Sequence, residues 1–340
     1  MLKKTDTGVG ELEVLYDREK NNFRTLLDFE GGMELNRFKD QQHFVSCYPF
    51  IPYQFDLFQL SIRNLSQHNA FEGKHSSVGE RSMLGVFQEV AKKIADHELG
   101  EIATFDLMFE GIRSALKGPI QQTINLAERN LENELDTRLV KTLFLVKYVQ
   151  EFKASVRNLC VLMLDHFDQD VSELKKRIEE SLNRLVNQVY IQRNGDVYEF
   201  LTDEEKDVEQ EIKGTDVDNK DIADELNKIV FDKIIKSKKL RYAANKQDFA
   251  YTRKLDDRAF GREQDLAVHV ISPFHDQSEN HAQLKVMYAT KAELLVVLPA
   301  DDRMMIDLGH YKKTDKYISC LLYTSPSPRD QRGSRMPSSA

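Results

Sequence analysis

Seven residues between positions 172 and 200 have side chains suited to contact a phosphate backbone. They are Lys175, Lys176, Arg177, Asn183, Arg184, Asn187 and Arg193. Lysine and arginine neutralise phosphates, and asparagine donates hydrogen bonds to phosphates or base edges. Acidic residues interleave with them, at Glu173, Glu179, Glu180 and Asp196. Two interpretations stay open, contact with duplex DNA and packing against protein, because charges on a helix are often only a solvated surface.

Three helices and a hairpin must position these side chains. Apolar residues recur at helical spacing over 139–149, 156–164 and 172–188. Two alternating strands, 190–193 and 196–200, then flank Asn194-Gly195, a dipeptide that accepts the positive φ angles of a type I′ turn. This order predicts a winged helix over 139–212, with the helix 172–188 facing DNA or a partner and the hairpin 190–200 as the wing.

The composition is that of a soluble multidomain protein. The 340 residues carry a net charge of −8, with 41% hydrophobic and 31% charged residues. Neither an apolar span nor a signal peptide is present in this sequence, which predicts a cytoplasmic location and no membrane contact. The negative charge argues against nonspecific nucleic-acid binding over the whole surface, so any DNA contact must be local. Cys47, Cys160 and Cys320 are far apart, and at least two of them are predicted to be ordinary buried thiols.

The sequence contains no recognisable catalytic or metal-binding motif. Gly73-Lys74 is the nearest approach to a phosphate loop, but His68 and His75 replace the glycine and the hydroxyl residue that the motif requires. The apolar strand 294–298 precedes Asp301-Asp302 as a magnesium-binding strand would, yet the same pattern fits a strand followed by a helix whose first turn is acidic. The remaining histidines, His269, His275 and His281, lack metal-ligand spacing and are predicted to be scattered over surface and loops.

The first hundred residues carry readable helix signals. An irregular helical pattern runs over 11–30, and another helical element follows it. The two prolines of 43–54 predict an extended, turning segment, with Pro52 opening the next helix. Ser77-Val78-Gly79-Glu80 matches a capping box at the start of a further helix, which places Arg81 in its first turn.

Several of these residues also carry a family resemblance. Tyr48-Pro49-Phe50-Ile51-Pro52-Tyr53-Gln54-Phe55, Ile62-Arg63, Gly79-Glu80-Arg81-Ser82-Met83-Leu84 and Phe87-Gln88 resemble the P-loop ATPases of bacteriophage-exclusion (BREX) systems, the BrxC/PglY family. The similarity extends to about Ser319. Members of that family are longer, so the resemblance implies an internal fragment of a P-loop ATPase that acts in anti-phage defence.

The resemblance further implies ATP and Mg²⁺ in the complete parent protein, with neither bound by this chain alone because it lacks the Walker A and B motifs. Residues 1–100 would form a lid-like region of the AAA+ type. Arg81, with Glu80 beside it, would sense the nucleotide phosphates, and a surface arginine paired with a carboxylate is the alternative. The implied partners are other BREX proteins, with duplex DNA as a further candidate, and an oligomer formed through the ATPase core.

Beyond the predicted winged helix the chain changes character. The pattern stays helical over 101–138, where Gly118-Pro119 breaks it. An acidic stretch after Thr202 marks a domain boundary, and a small α/β domain follows over 213–319. Its predicted elements are a helix 222–234, strands 249–253, 266–272, 284–288 and 294–298, and a helix 301–317. Residues 320–340 turn to Ser, Pro and Arg, resemble a translated sequencing adapter and are expected to lack a fold, as a native disordered tail would.

The expected fold is therefore multidomain and mainly α with α/β: a lid-like helical region, connecting helices, a winged helix and a small α/β domain. The leading functional hypothesis is the BREX ATPase fragment. Its rivals are a winged-helix DNA-binding regulator without ATPase activity and a structural scaffold.

Overall fold

A computed structural model describes residues 3–72 and 80–324 of the chain, and for residues 80–82, 302 and 322–324 it describes the backbone alone. The chain divides into two units, Met1–Val208 and Glu209–Ala340. The first unit is helical apart from one hairpin, and the second contains a mixed sheet with helices on both faces. The fold is thus mainly α with an α/β part, as the sequence predicts.

The helices of the first unit follow one another with short connections. They are α1 (Asp6–Glu19), α2 (Phe23–Leu26), α3 (Gln41–Cys47), α4 (Pro52–Gln67), α5 (Glu80–Lys93), α6 (Met108–Ile112), α7 (Gly118–Asn130), α8 (Glu134–Val146), α9 (Val156–Leu162) and α10 (Val171–Asn187), with short 3₁₀ turns at Phe105–Leu107 and Arg113–Ala115. Pro52 opens α4, as predicted. The segment predicted to be extended from residue 43 is instead helical to Cys47, because Asp40 caps α3 and the first proline comes only at position 49.

The motif 48–54, which carries much of the resemblance, is a structural element. The Tyr48 hydroxyl donates to the carbonyl of Glu101 at 2.8 Å and accepts from the amide of Gly100. Gln54 is fully buried, and its side-chain nitrogen donates to the carbonyl of Ala103 at 2.6 Å while its oxygen accepts from the amide of Ile51. Since buried polar groups are costly unless paired, these bonds hold the motif against the 100–103 segment. The Tyr48-Pro49 peptide is cis.

An aromatic cluster fills the part of the core beneath α1 and α3. Phe44 is fully buried, and its ring centroid lies 5.0–5.9 Å from those of five neighbours: Tyr16, Phe23, Phe38, Tyr48 and Phe167. Each such ring pair adds stabilisation beyond the area it buries. The cluster joins two separate parts of the sequence, residues 16–48, which end at the cis-proline peptide, and the loop before α10.

The three helices α8–α10 and a hairpin form a continuous module of the first unit. Strands β1 (Ile191–Asn194) and β2 (Val197–Phe200) pair antiparallel, which confirms the predicted strands. Ser155, just before α9, forms an isolated antiparallel β-bridge with Val197 of β2, so a third short segment joins the hairpin. The loop of the hairpin is Gly195-Asp196, and of these two Gly195 alone has a positive φ, at 61°. That is the pattern of a type II′ turn, so the predicted type I′ turn centred on Asn194-Gly195 is wrong.

The second unit begins within α11 (Asp203–Gly214) and builds one sheet. Its elements are α12 (Asn219–Asn227), a π-helical continuation (Lys228–Ile235), β3 (Lys239–Arg241), β4 (Asp248–Leu255), β5 (Arg258–Phe260), β6 (Leu266–Ile271), α13 (His281–Tyr288), β7 (Glu293–Val297) and α14 (Asp302–Thr324). Strands β4, β6 and β7 are parallel neighbours in that order, and β3 and β5 pair antiparallel with β4. The predicted strands 249–253, 266–272 and 294–298 are confirmed.

Two predictions for this unit are wrong. Residues 284–288, predicted as a strand, belong to helix α13, because Asn280 caps it by accepting from the amide of Gln283 and because Leu284 and Tyr288, four residues apart, are its buried side. Val286 between them is 78% exposed. Helix α14 continues to Thr324, past its predicted end and into the segment expected to lack a fold. Residues 325–340 lie outside the described residues.

Candidate partner and nucleic-acid interface

Helix α10 presents most of the predicted contact residues to solvent. Its core side consists of Leu174, Ile178, Ser181, Leu182 and Leu185. Because an α-helix repeats every 3.6 residues, the opposite side carries Lys176, Asn183 and Asn187, with Lys175 and Arg177 on its flanks. All five of these side chains are exposed. The structure therefore brings them together on one accessible helix surface.

Arg184 has a different environment. Its Nε and Nη2 donate to the carboxylate of Asp136 at 3.0 and 2.7 Å, and the Asp136 side chain is only 3% exposed. The Ser181 hydroxyl donates to the same carboxylate. This pairing raises the pKa of Arg184 above its usual value. Arg184 thus links α10 to the first turn of α8, a role that its sequence position does not reveal.

Arg193 on the hairpin folds back on its own turn. Its Nε donates to the carbonyl of Gly195 at 2.9 Å, and its guanidinium lies 6.0 Å from the centre of the Tyr198 ring. Both contacts hold the side chain along the hairpin. To reach a phosphate beyond the hairpin tip, Arg193 would have to give them up.

The electrostatics of α10 are balanced. Lys175, Lys176 and Arg177 are offset by three acidic residues of the same helix, Glu173, Glu179 and Glu180. Lys175 lies 3.8 Å from the Glu179 carboxylate, and both side chains are about half exposed, so the pair adds little stability. The surface therefore lacks the concentrated positive charge that typifies strong nonspecific DNA binding.

Lys147, which sequence reasoning missed, secures the hairpin. Its side chain is 1% exposed, and Nζ donates to the carbonyl of Phe200 at 2.6 Å and to the Glu205 carboxylate at 2.7 Å. Burial raises the pKa of Glu205, but the bonds from Lys147 and from the Thr202 amide outweigh it and hold that pKa below its usual value. This charge cluster fixes the C-terminal end of β2 against α8.

The other predicted site, Arg81 with Glu80, can be located only by its backbone. Both residues stand in the first turn of α5, but their side chains and the rest of the capping box, Ser77 to Gly79, lie outside the described residues. A cavity of about 630 Å³ adjoins α5 further along. It is lined by His43, Ser46, Cys47, Tyr48, Phe50, Phe55, Gln59, Met83, Leu84, Phe87 and Gln88. Such a lining suits an apolar or aromatic group, with the two glutamine amides able to orient it.

A second polar cluster, also missed from the sequence, lies in the second unit. Buried His269 accepts from the amide of Asp257 through Nε2 at 3.1 Å, which leaves Nδ1 to donate to Glu293 at 3.0 Å. The Asp257 carboxylate accepts from Tyr288 and lies 3.0 Å from Nε2 of His275. Burial and the neighbouring Asp257 carboxylate raise the pKa of Tyr288.

This cluster anchors the tight turn between β4 and β5. Asp256 and Asp257 have positive φ angles of 46° and 65°, which are unfavourable for residues other than glycine and need support from outside the turn. The prediction of surface or loop positions is wrong for His269, which is buried in β6, whereas His275 does lie in the loop after β6 and contacts the turn from there. The signal that could have revealed them is the pair of aspartates between two strand patterns, since a two-residue hairpin loop requires such backbone angles.

Several further expectations concern ions, thiols and membranes. Cys47 and Cys160 are buried and free, as predicted, and burial raises the pKa of Cys160 to about 11. Asp301 caps α14 by accepting from the amide of Met304 at 3.1 Å, as its helix-start interpretation predicts. In the described ranges, no group of three or more His, Cys, Asp or Glu side chains could hold a metal ion. No helix in the same ranges has the length and apolar character needed to cross a membrane.

A comparison with protein-family models gives a match in the second unit. Residues 215–332 match the family model described as "BREX ATP-binding protein BrxC 4th domain with six-stranded beta sheet". The described part of this segment contains five strands in one mixed sheet. No solved structure matches the chain. The matched residues do not overlap 48–88, where the quoted motifs of the resemblance lie, so two separate parts of the sequence indicate the same family. Residues 215–332 are therefore similar to a domain of the BREX ATP-binding protein BrxC.

Proposed function

We propose that this chain serves in anti-phage defence as the interaction-bearing part of a BREX ATP-binding protein. The observation that carries the proposal is the match of residues 215–332 to a domain of that protein. The absence of a phosphate loop from this sequence supports a division of labour, in which ATP and Mg²⁺ are held by residues of the complete protein outside this chain. The partners we propose are other BREX proteins.

In this proposal α8–α10 and the hairpin act as a winged helix that packs against a protein partner. The balanced charge of α10 and the engagement of Arg184 and Arg193 by their own module support protein packing over DNA reading. Residues 1–100 act as the lid-like region, and Arg81, with Glu80 beside it, senses the nucleotide from the start of α5. A guanidinium suits that role because it stays charged and can donate two parallel hydrogen bonds to a phosphate.

The experiment is Arg81→Ala in the full-length protein within a host that carries a complete BREX system. We expect ATP turnover to fall roughly tenfold, because a hydrogen bond to a charged group contributes about 1.5–3 kcal/mol, and we expect phage plating to rise with it. The matched control is Arg129→Ala, an exposed arginine on α7. Unchanged turnover in Arg81→Ala would refute the sensor role, and unchanged plating after deletion of the whole gene would refute the role in defence.

A second candidate function is contact with duplex DNA, favoured by the exposure of Lys176 and Arg177 beside Asn183 and Asn187. It predicts that labelled duplex binds the chain in fluorescence anisotropy, and that Lys176→Glu with Arg177→Glu abolishes the binding. If both residues contact phosphates, their neutral replacements should lower the salt slope of log Kd by about two. Lys92→Glu with Lys93→Glu, on α5, is the matched charge control. No binding at low salt would assign the surface to protein packing.

A further inference from the structure

Strand β7 forms an open edge of the sheet. Within the described part of the chain it pairs with β6 alone. The carbonyl of Ala292 accepts from Ala267, and the amide of Leu298 donates to Ile271, so the even-numbered residues direct their backbone groups toward β6. Successive residues of a strand alternate in this direction. The amides and carbonyls of Glu293, Leu295 and Val297 therefore point outward from the sheet, available to another strand.

This edge lacks the usual protection against strand addition. Natural edges are commonly blunted by charged side chains, prolines or bulges. The sole charged residue of β7 is Glu293, and its carboxylate turns inward to Lys254 and His269. Leu294 and Val296 are 57% and 37% exposed. They lie on the sheet face shared with Val268 and Val270, which are themselves buried, so an apolar core face continues uncovered onto β7.

The segment that follows β7 crosses the sheet toward β4 and does not extend past the open edge of β7. Helix α13 packs on the other face of the sheet, against Leu295 and Val297, whereas Leu308 of α14 packs on the face of Tyr251 and Leu255 in β4. Crossovers between parallel strands are right-handed in nearly all proteins. With α13 carrying the chain from β6 to β7 on one face, a right-handed crossover through α14 on the opposite face returns toward β4.

We propose that the open edge of β7 pairs with β7 of a second copy of this chain, antiparallel about a two-fold axis at Leu295. In this register Leu295 faces Leu295, and Glu293 faces Val297 in both directions. Those are the residues whose backbone groups point outward, so the pairing forms six hydrogen bonds across the axis. A shift of the axis to Leu294 would still pair outward-pointing residues but would place Val296 opposite Ala292, and a shift to Val296 would place Glu293 opposite Pro299, which has no amide hydrogen to donate. The two-fold arrangement is self-complementary, as a closed dimer requires.

Side chains support the same register. Leu294 of each copy faces Val296 of the other, in the pair type whose Cα atoms approach to about 4.5 Å, so four exposed apolar side chains cover one another. The charges that flank the strand are also complementary, because Lys291 precedes β7 and Asp301 and Asp302 follow it. Antiparallel pairing brings exposed Lys291 of one copy near the end of the other β7, where exposed Asp301 follows.

Sedimentation velocity of the whole chain tests the proposal. We expect a dimer for the wild type and a monomer for Leu294→Glu with Val296→Glu, because the acidic groups would face one another across the axis. Both sites are exposed, so the fold should survive, as circular dichroism would show. The matched control is Val286→Glu, which replaces another exposed apolar residue of the same unit and should stay dimeric. A monomeric wild type, or a dimer that the double variant leaves intact, would overturn the proposal.

Cysteine cross-linking tests the register directly. In a Cys320→Ser background, Leu295→Cys should form a covalent dimer under mild oxidation, because facing residues of a hydrogen-bonded pair have Cα atoms about 5.5 Å apart, within the range of a disulfide. Val297→Cys is the control, because two copies of it would lie four residues apart along the strand, roughly 14 Å. Cross-linking through position 297 but not through 295 would exclude the axis at Leu295.

Discussion

Replacing Asp136 by alanine is expected to lower the free energy of unfolding of the first unit by about 2–3 kcal/mol. Breaking a buried ion pair by removing one partner costs about 3–5 kcal/mol, and the partial exposure of Arg184, 40%, reduces that loss because water can solvate the guanidinium. The Ser181 hydroxyl, on a fully buried residue, loses its carboxylate acceptor as well. The carboxylate also lies in the first turn of α8, where the helix dipole favours negative charge.

Hydrogen exchange measured by mass spectrometry is the suitable readout, because the second unit of the same chain is an internal reference. We expect amides of α8 and α10 to exchange faster in Asp136→Ala, with those of β6 unchanged. Arg184→Ala should cost at least as much as Asp136→Ala, because it leaves the buried carboxylate of Asp136 without its cation, and the double variant should cost less than the sum, as coupled partners do. Equal protection in Asp136→Ala and wild type would show that the pair contributes nothing.

Replacing Phe44 by alanine should be more damaging, with a loss of about 3–5 kcal/mol. Its ring is fully buried among five aromatic neighbours, and a close-packed core relaxes only partly around the cavity that its removal leaves. We expect a large fall in the urea midpoint of the helical circular dichroism signal. Loss of the ring also removes the packing that joins α1 and α3 to the Tyr48-Pro49 segment.

Two controls separate the packing effect from hydrophobicity alone. Phe44→Leu keeps most of the apolar volume but loses the aromatic contacts, so its cost should be intermediate. Val14→Ala on α1, where the side chain is 71% exposed, should change the unfolding free energy by less than about 0.5 kcal/mol. A Phe44→Ala variant as stable as Val14→Ala would contradict the cluster described here.

These contacts change how the most specific part of the sequence is understood. The motif 48–54 carries much of the family resemblance, yet its polar groups bond to the backbone at 51 and 100–103, and the Tyr53 hydroxyl donates to the carbonyl of Val161. Its residues are the ones needed to pack a cis-proline segment within a helical core. A specific motif therefore need not mark a site where chemistry occurs.

Elements whose signals are local can be predicted from the amino-acid sequence. Side-chain periodicity predicts the apolar stripe of α10, the two strands around Gly195 and three of the five strands in the sheet of the second unit. The fixed φ of proline predicts the start of α4 at Pro52. The same local reasoning located the exposed lysines of α10, because the polar side of an amphipathic helix faces water. Residue spacing also shows directly that this sequence contains no phosphate-loop motif.

Other elements and charges depend on partners that are distant in the sequence, and these could not be predicted from local patterns. Residues 284–288 alternate like a strand, but the buried surface offered by β6 and β7 selects the helical pairing of Leu284 with Tyr288. Arg184 has the same residue type as Arg177, and only the approach of α8 brings Asp136 to it from 48 positions away. His269 likewise gains its role from a turn and a neighbouring strand. The free energy of a buried charge or ring is set by what surrounds it in space, and sequence spacing does not encode those surroundings.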